Sequence, residues 1–95
     1  MDRRTGSFVW DLNKELLNIH KHGVDFTTAI TAFEDERRKV FIDLKHSLHE
    51  ERFYCIGKVN NNIMTVRFVY HSEQIRIIGA GYWRKGRKYY EKENY

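Results

Sequence analysis

The side chains best suited to chemistry are titratable or cationic groups between positions 46 and 76. They are His46, Glu50, Glu51, Arg52, Arg67 and Arg76, with Tyr54, Tyr82 and Trp83 as aromatic surfaces for stacking. RNA cleavage without a metal needs a base for the 2′-hydroxyl, cations for the pentavalent phosphate and an acid for the leaving 5′-oxygen. Histidine, glutamate and arginine can perform these tasks. The same arginines can equally form ordinary cross-strand ion pairs with Glu51 or Glu73 on a solvated face.

A predicted β-hairpin over residues 52–70 positions part of this set, and its register follows from its turn. The Asn60-Asn61 pair accepts the positive φ angles of a two-residue turn, which places Tyr54 opposite Arg67. Because side chains alternate along a strand, one face of the hairpin is apolar and the other carries the tyrosine and two arginines.

A further strand over residues 75–80 continues both faces of the hairpin. With a four-residue connection, Arg67 lies opposite Ile78 and is a diagonal neighbour of Arg76 on the polar face. The glycines of the run 79–81 are expected to end this strand.

Helices precede and follow the sheet. The first is predicted from an Asp11 cap to Gly23, with its apolar stripe at Leu12, Leu16, Leu17 and Ile19. A second begins after Asp25, and residues 82–93 predict a terminal helix that carries Arg84 and Arg87. The sequence therefore predicts an α+β fold. Two N-terminal helices pack on a mainly antiparallel sheet of about four strands, followed by a C-terminal helix, in a single domain over residues 1–95.

Charge is unevenly distributed along the chain. Residues 1–50 hold 8 Lys and Arg against 9 Asp and Glu, whereas residues 51–95 hold 9 against 4. The half that contains the hairpin is therefore basic, which favours a polyanion such as nucleic acid or an acidic protein as its partner. An excess of this size also occurs in proteins where it only aids solubility.

Several classes of protein are disfavoured. No apolar run approaches the roughly 20 residues that span a bilayer, and the one cysteine, Cys55, points to the core. A cytoplasmic protein without a membrane partner is the simplest interpretation. The His46 and His49 pair lacks companion ligands at zinc spacing, and there is no phosphate-binding glycine loop. We therefore expect no metal site and no cofactor.

The order of short motifs resembles the BrnT family, the ribonuclease toxins of bacterial type II toxin–antitoxin systems. The resemblance covers positions 8–91, and its most specific part combines Lys-His-Gly-Val at 21–24 with His-Ser at 46–47 and Glu-Arg-Phe at 51–53. Further matches are Trp10-Asp11, Asn13-Lys14, Asn18, Phe26, Ala29, Phe33-Glu34-Asp35, Asp43, Ile56-Gly57 and Arg76-Ile77-Ile78.

The resemblance implies a RelE-like fold and metal-independent endoribonuclease activity that arrests translation. It also implies neutralisation by a BrnA-like antitoxin in a heteromeric complex that binds DNA through the antitoxin. On this basis we expect His46, Glu51, Arg67 and Arg76 to be catalytic. The residues expected to bind RNA are Arg52, Tyr54, Tyr82, Trp83, Arg84 and Arg87.

One departure from the family lies just after the last predicted strand. The family pattern there is Ser-Ala-Arg, then an alanine and Glu-Arg, whereas this chain reads Gly-Ala-Gly-Tyr-Trp-Arg-Lys-Gly-Arg over residues 79–87. Glycine thus stands at position 81 in place of the arginine. This favours an alternative hypothesis, a catalytically impaired binding module that holds an acidic antitoxin or nucleic acid.

Overall fold

A computed structural model describes residues 1–94 of the chain. Six strands and three α-helices follow one another, with two 3-10 turns at Ile30–Glu34 and Leu44–His46. The strands are β1 (Asp2–Thr5), β2 (Phe8–Asp11), β3 (Lys39–Ile42), β4 (Phe53–Val59), β5 (Asn62–His71) and β6 (Gln74–Gly81). The helices are α1 (Leu12–His22), α2 (Phe26–Ala29) and α3 (Arg84–Glu93). Tyr95, the last residue of the predicted domain, lies outside the described residues.

All six strands form one sheet in the order β1-β2-β6-β5-β4-β3, and β2 and β6 are its parallel pair. The α+β class is confirmed, but the prediction of about four strands is wrong. The sequence analysis missed β1, whose Asp-Arg-Arg-Thr sequence is exposed at every position and therefore has no apolar alternation. It pairs with β2 through a turn in which Gly6 has a φ angle of 59°.

The predicted register of the hairpin is confirmed at every pair from Phe53 to Val59. Asn60 and Asn61 have φ angles of 50° and 69°, as a two-residue hairpin turn requires. Tyr54 therefore lies opposite Arg67.

The predicted register between β5 and β6 is confirmed from Phe68 to Tyr70 and differs from Arg67 onward. The ladder shifts between Arg67 and Phe68, so that Arg67 lies opposite Gly79 and not Ile78. Such a bulge adds one residue to one strand and cannot be read from loop length alone. The strand also continues to Gly81 rather than ending at the glycine run, which keeps Gly79 and Gly81 on the same face as Arg67.

One face of the sheet, which we call the apolar face, packs against α1, α2 and the first 3-10 turn. Cys55 is fully buried there, as predicted, and burial raises the pKa of its thiol to about 12. The core on this face includes Trp10, Phe26, Ala29, Ala32, Met64, Val66, Phe68, Ile77 and Ala80.

Helix α1 packs on this core with a face that the sequence analysis did not identify. Leu16, Leu17 and Ile19 are 55%, 58% and 41% exposed, so the predicted apolar stripe is wrong. The buried residues of α1 are instead Glu15 and Asn18.

Hydrogen bonds explain why these two polar residues face inward. The Trp10 indole donates to one Glu15 carboxylate oxygen over 3.0 Å, and the Phe26 amide donates to the other over 2.8 Å. Asn18 both donates to and accepts from the backbone of Ala80, on the part of β6 that extends beyond its ladder with β2. A buried polar group that finds such partners avoids the cost of desolvation.

The predicted caps of the first two helices are confirmed, whereas the last helix begins at Arg84 and not at residue 82. The Asp11 carboxylate accepts from the Lys14 amide over 3.0 Å, and Asp25 accepts from the Thr28 amide over the same distance. Gly23 ends α1 with a φ angle of 70°.

The opposite face of the sheet, which we call the α3 face, carries Tyr54, Arg67 and Arg76. The last helix crosses it over β4 and β5, where a Cβ atom at Gly86 would overlap the Thr65 hydroxyl. The helix thus covers one end of this face, while Arg67 and Arg76 at the other end remain partly exposed.

Candidate ribonuclease site

An aspartate–histidine pair stands at the end of β3, on the α3 face. His46 Nδ1 donates to Asp43 Oδ2 over 2.8 Å, and the Asp43 side chain also caps the 3-10 turn that carries the histidine. The side chain of Asp43 is 7% exposed, whereas that of His46 is 47% exposed. The carboxylate therefore fixes the ring and leaves Nε2 as its free nitrogen.

The backbone around this pair is tied to the start of β4. The Asp43 amide donates to the Arg52 carbonyl over 2.7 Å, and the Arg52 amide donates to Ser47 Oγ over 2.9 Å. Ser47 Oγ in turn donates to the Asp43 carbonyl over 2.6 Å. These bonds hold the loop that contains His46 against the sheet.

Tyr54 links the pair to Arg67. Its hydroxyl interacts with the Asp43 carboxylate and perturbs the pKa of both groups, and its Cα position is paired with that of Arg67 in the β4–β5 ladder. We call Asp43, His46, Tyr54 and Arg67 the Asp43 cluster.

Electrostatics shift the pKa values of Asp43 and Tyr54 in opposite directions. Burial alone would raise the pKa of the Asp43 carboxyl, but hydrogen bonds from His46 and Tyr54 hold it below its usual value. Burial, together with the hydrogen bond to Asp43, raises the pKa of Tyr54. At neutral pH the cluster therefore contains a carboxylate and a neutral phenol.

Arg67 lies between two glycines and an indole. A Cβ atom at Gly79 would come within 2.9 Å of the guanidinium, and one at Gly81 would come within 2.6 Å of the Trp83 ring. The Arg67 Cζ atom is 5.9 Å from the centre of that ring, in cation–π range. Arg67 Nε is buried and has no hydrogen-bond partner among residues 1–94.

This packing shows what occupies the space beside Gly81. Trp83 folds back onto Gly81, in space that a side chain at 81 would need. The indole consequently covers the guanidinium of Arg67 instead of extending into solvent.

Arg76 shares the α3 face but has a different environment. Its guanidinium donates to Asp2 over 3.2 Å, and its side chain is 30% exposed. The hydrogen bond from Arg76 lowers the pKa of the Asp2 carboxyl. The ion pair expected as an alternative for the arginines therefore forms at Arg76, but with Asp2 from the unpredicted strand β1.

The remaining predicted site residues divide into two groups. Arg52 lines a surface depression together with His46, and Glu51 is exposed on the same loop. Tyr82, Arg84 and Arg87 line a separate depression beside α3, where Arg87 also approaches Glu91 within 3.7 Å. The structure thus brings His46, Arg52, Tyr54 and Arg67 to one region and places the basic residues of α3 elsewhere.

Asp43 is the site residue that sequence reasoning missed. Its signal was present, because an aspartate three residues before His46 can cap a short turn and reach the ring of the histidine.

No helix in the described part of the chain is long and apolar enough to cross a membrane. Among residues 1–94, no three His, Cys, Asp or Glu side chains are grouped as metal ligands.

Comparison with known families agrees with the motifs. None of the curated proteins matched the chain in a sequence search. A family model described as "Ribonuclease toxin, BrnT, of type II toxin-antitoxin system" matches residues 10–86, which include the whole Asp43 cluster. The protein therefore belongs to the BrnT family of type II toxin–antitoxin ribonuclease toxins.

Proposed function

We propose that the protein is an endoribonuclease that cleaves RNA without a metal ion at the Asp43 cluster. The observation that carries this proposal is the buried Asp43 carboxylate bound to His46 Nδ1, beside a cationic Arg67 with an unpaired donor. A histidine held in this way can exchange a proton through Nε2, as in other aspartate–histidine pairs.

In the proposed reaction, the RNA 2′-oxygen attacks the adjacent phosphorus and the bond to the 5′-oxygen breaks. His46 Nε2 accepts the proton of the 2′-hydroxyl, and Asp43 stabilises the imidazolium that forms. Arg67 neutralises the charge on the pentavalent phosphate. The His46 imidazolium then gives this proton to the leaving 5′-oxygen, while Glu51, exposed on the same loop, orients the 2′-hydroxyl, so that the products are a 2′,3′-cyclic phosphate and a 5′-hydroxyl.

The other cations take supporting roles in this proposal. Arg76 contributes a second phosphate contact, after exchange of its Asp2 partner, and Arg52 binds the backbone beside His46. Trp83 and Tyr82 offer surfaces for stacking. Arg84 and Arg87 extend the basic surface along α3 and bind more distant phosphates.

We further propose that RNA cleavage in the cytoplasm arrests translation and that a cognate BrnA-like antitoxin neutralises it. The family supports an antitoxin partner. The basic second half of the chain, with 9 Lys and Arg against 4 Asp and Glu, suits both RNA and an acidic antitoxin segment.

The test is incubation of the purified protein with single-stranded RNA in the presence and absence of EDTA. We expect cleavage at equal rates in both conditions, and loss of cleavage in Asp43→Asn. Cleavage that EDTA abolishes would contradict metal independence.

The alternative, a binding module without activity, is favoured by one observation. Trp83 covers Arg67 in the space opened by Gly81 and is positioned to restrict access to the guanidinium. No cleavage at any protein concentration, together with tight binding of RNA or antitoxin, would support this alternative.

A further inference from the structure

An apolar cavity of about 420 Å³ lies between α3 and the α3 face of the sheet. Aromatic rings form much of its wall. The Phe41 ring centre is 5.3 Å from that of Tyr54 and 4.8 Å from that of Tyr89. Concave, mainly apolar volumes of this size are typical of sites for small ligands or parts of larger ones.

The cavity adjoins the Asp43 cluster on two sides. Tyr54 contributes to the cavity wall, and its hydroxyl interacts with the Asp43 carboxylate. Trp83 contributes to the wall and also covers the Arg67 guanidinium. A ligand whose phosphate lies at Arg67 and His46 would therefore have its neighbouring ring system beside this cavity.

The polar groups at the cavity are few. Lys85 is exposed at its edge, where it favours an anionic ligand. The hydroxyl of Thr65, a residue 5% exposed, lacks a hydrogen-bond partner among residues 1–94. A wall of this composition recognises a planar ring by stacking and offers little hydrogen-bond readout.

We propose that the cavity binds one unpaired nucleobase of the RNA, next to the phosphate that is cleaved. The inference rests on the proposed function, and it extends that function to the choice of cleavage position. Unpaired bases are bound in proteins by stacking on aromatic side chains. Because preferences of this kind follow stacking strength, the cavity favours a purine over a pyrimidine at that position.

Binding of mononucleotides tests the proposal without requiring cleavage. The probes are adenosine 3′-monophosphate, uridine 3′-monophosphate and inorganic phosphate, titrated against the protein and followed by NMR. We expect the adenosine nucleotide to bind most tightly and inorganic phosphate most weakly. The Tyr89→Leu substitution keeps apolar volume but removes the ring, and should weaken adenosine binding about tenfold while leaving phosphate binding unchanged.

Two control variants separate stacking from general effects on the fold. Tyr89→Phe keeps the ring and should bind the adenosine nucleotide like the wild type. Tyr70→Ala removes a tyrosine that is 58% exposed on the apolar face, and should also leave binding unchanged. Wild-type affinity for the adenosine nucleotide in folded Tyr89→Leu and Phe41→Leu variants would overturn the proposal.

Mapping of cleavage positions distinguishes this inference from the proposed function. If wild-type protein cleaves next to purines and Tyr89→Leu loses that preference, both stand. If wild-type protein cleaves but Tyr89→Leu keeps the same preference, the cavity is not the base site. If the wild-type protein binds adenosine through Tyr89 but cleaves no RNA, the cavity assignment stands and the catalytic proposal fails.

Discussion

Arg67 and Arg76 lie on the same face of neighbouring strands, and they differ in what surrounds them. Arg67 is packed between Gly79 and the Trp83 ring, with a buried Nε that has no partner among residues 1–94. Arg76 donates to Asp2, a carboxylate from the edge strand β1. A phosphate at Arg67 would satisfy an unmet donor, whereas a phosphate at Arg76 would have to displace an existing partner.

Two cations on the same face of a sheet can therefore differ in their availability to a ligand. Register places both side chains on the α3 face, but position along the sheet decides their neighbours. Arg67 is opposite Tyr54 and therefore joins the Asp43 cluster, while Arg76 lies beside β2 and the strand that precedes it.

Substitution of each arginine by alanine should change the rate of RNA cleavage to different extents. Arg67→Ala should lower the rate of RNA cleavage on the order of 10²–10³-fold, because it removes the cation that neutralises the negative charge of the pentavalent phosphate. Arg76→Ala should lower it less than about tenfold, since its charge is already paired with Asp2. Rates are measured on a fluorogenic RNA at equal concentrations of folded protein. Equal losses in both variants would remove the distinction.

The packing around Arg67 can be tested through its two glycines. Gly81→Ala places a Cβ atom against the rigid Trp83 ring and should destabilise the protein by about 1–3 kcal/mol. In Gly79→Ala the nearest atoms belong to the flexible end of Arg67, so a cost below about 1 kcal/mol is expected. Urea unfolding measures both. A Gly81→Ala variant as stable as wild type would show that Trp83 is not fixed on the sheet.

Acid pH distinguishes the two carboxylates that accompany the arginines. The pKa of Asp43 lies below its usual value in the folded protein, so its contribution to stability is full above about pH 4 and is lost as the pH falls toward the folded value. Asp43→Asn should therefore be less stable at pH 7 and show a smaller loss of stability between pH 5 and about pH 2.

The matched control for this measurement is Asp2→Asn, which changes a carboxylate on the exposed β1 strand. Its urea unfolding curves should follow the wild type more closely across the same pH range, because solvent screens the exposed pair. A pH dependence in Asp43→Asn identical to that of wild type would contradict the role given to Asp43.

Removal of the carboxylate that pairs with Arg76 should have a small effect on RNA binding. Asp2→Asn removes the anionic partner of Arg76 and should raise the affinity for single-stranded RNA, by less than about tenfold at low salt. The measurement is fluorescence anisotropy with a labelled RNA. Asp11→Asn is the control, because Asp11 is paired with Asp2 across the β1–β2 ladder but its carboxylate accepts from the Lys14 amide and not from Arg76. Unchanged or weaker binding in Asp2→Asn would mean that Arg76 does not contact the RNA.

Much of the framework could be predicted because local chemistry decides it. The Asn60-Asn61 turn fixes the hairpin register, and thereby places Tyr54 opposite Arg67. Asp11 and Asp25 cap their helices. Short polar residues directly before an apolar segment usually have this role.

The parts that could not be predicted depend on contacts distant in sequence. Strand β1 is polar throughout and is identified only by its partner. The inward face of α1 is set by Glu15 and Asn18, whose partners include Trp10 and the backbone of Ala80. The bulge beside Arg67 likewise changes which glycine faces the guanidinium. The Asp43–His46 pair is an exception, because the contact is local and its spacing of three residues is visible in the sequence.

If the aspartate–histidine pair cleaves RNA, the reaction needs His46 and does not need the neighbouring His49. Wild type, His46→Ala and His49→Ala are compared on the same single-stranded RNA, and the ends of the products are analysed. His49 is an exposed histidine on the same loop and serves as the matched control. We predict 2′,3′-cyclic phosphate ends for wild type and His49→Ala, and a rate lower by about 10²–10⁴-fold for His46→Ala. Cleavage by His46→Ala at the wild-type rate would show that His46 is not catalytic.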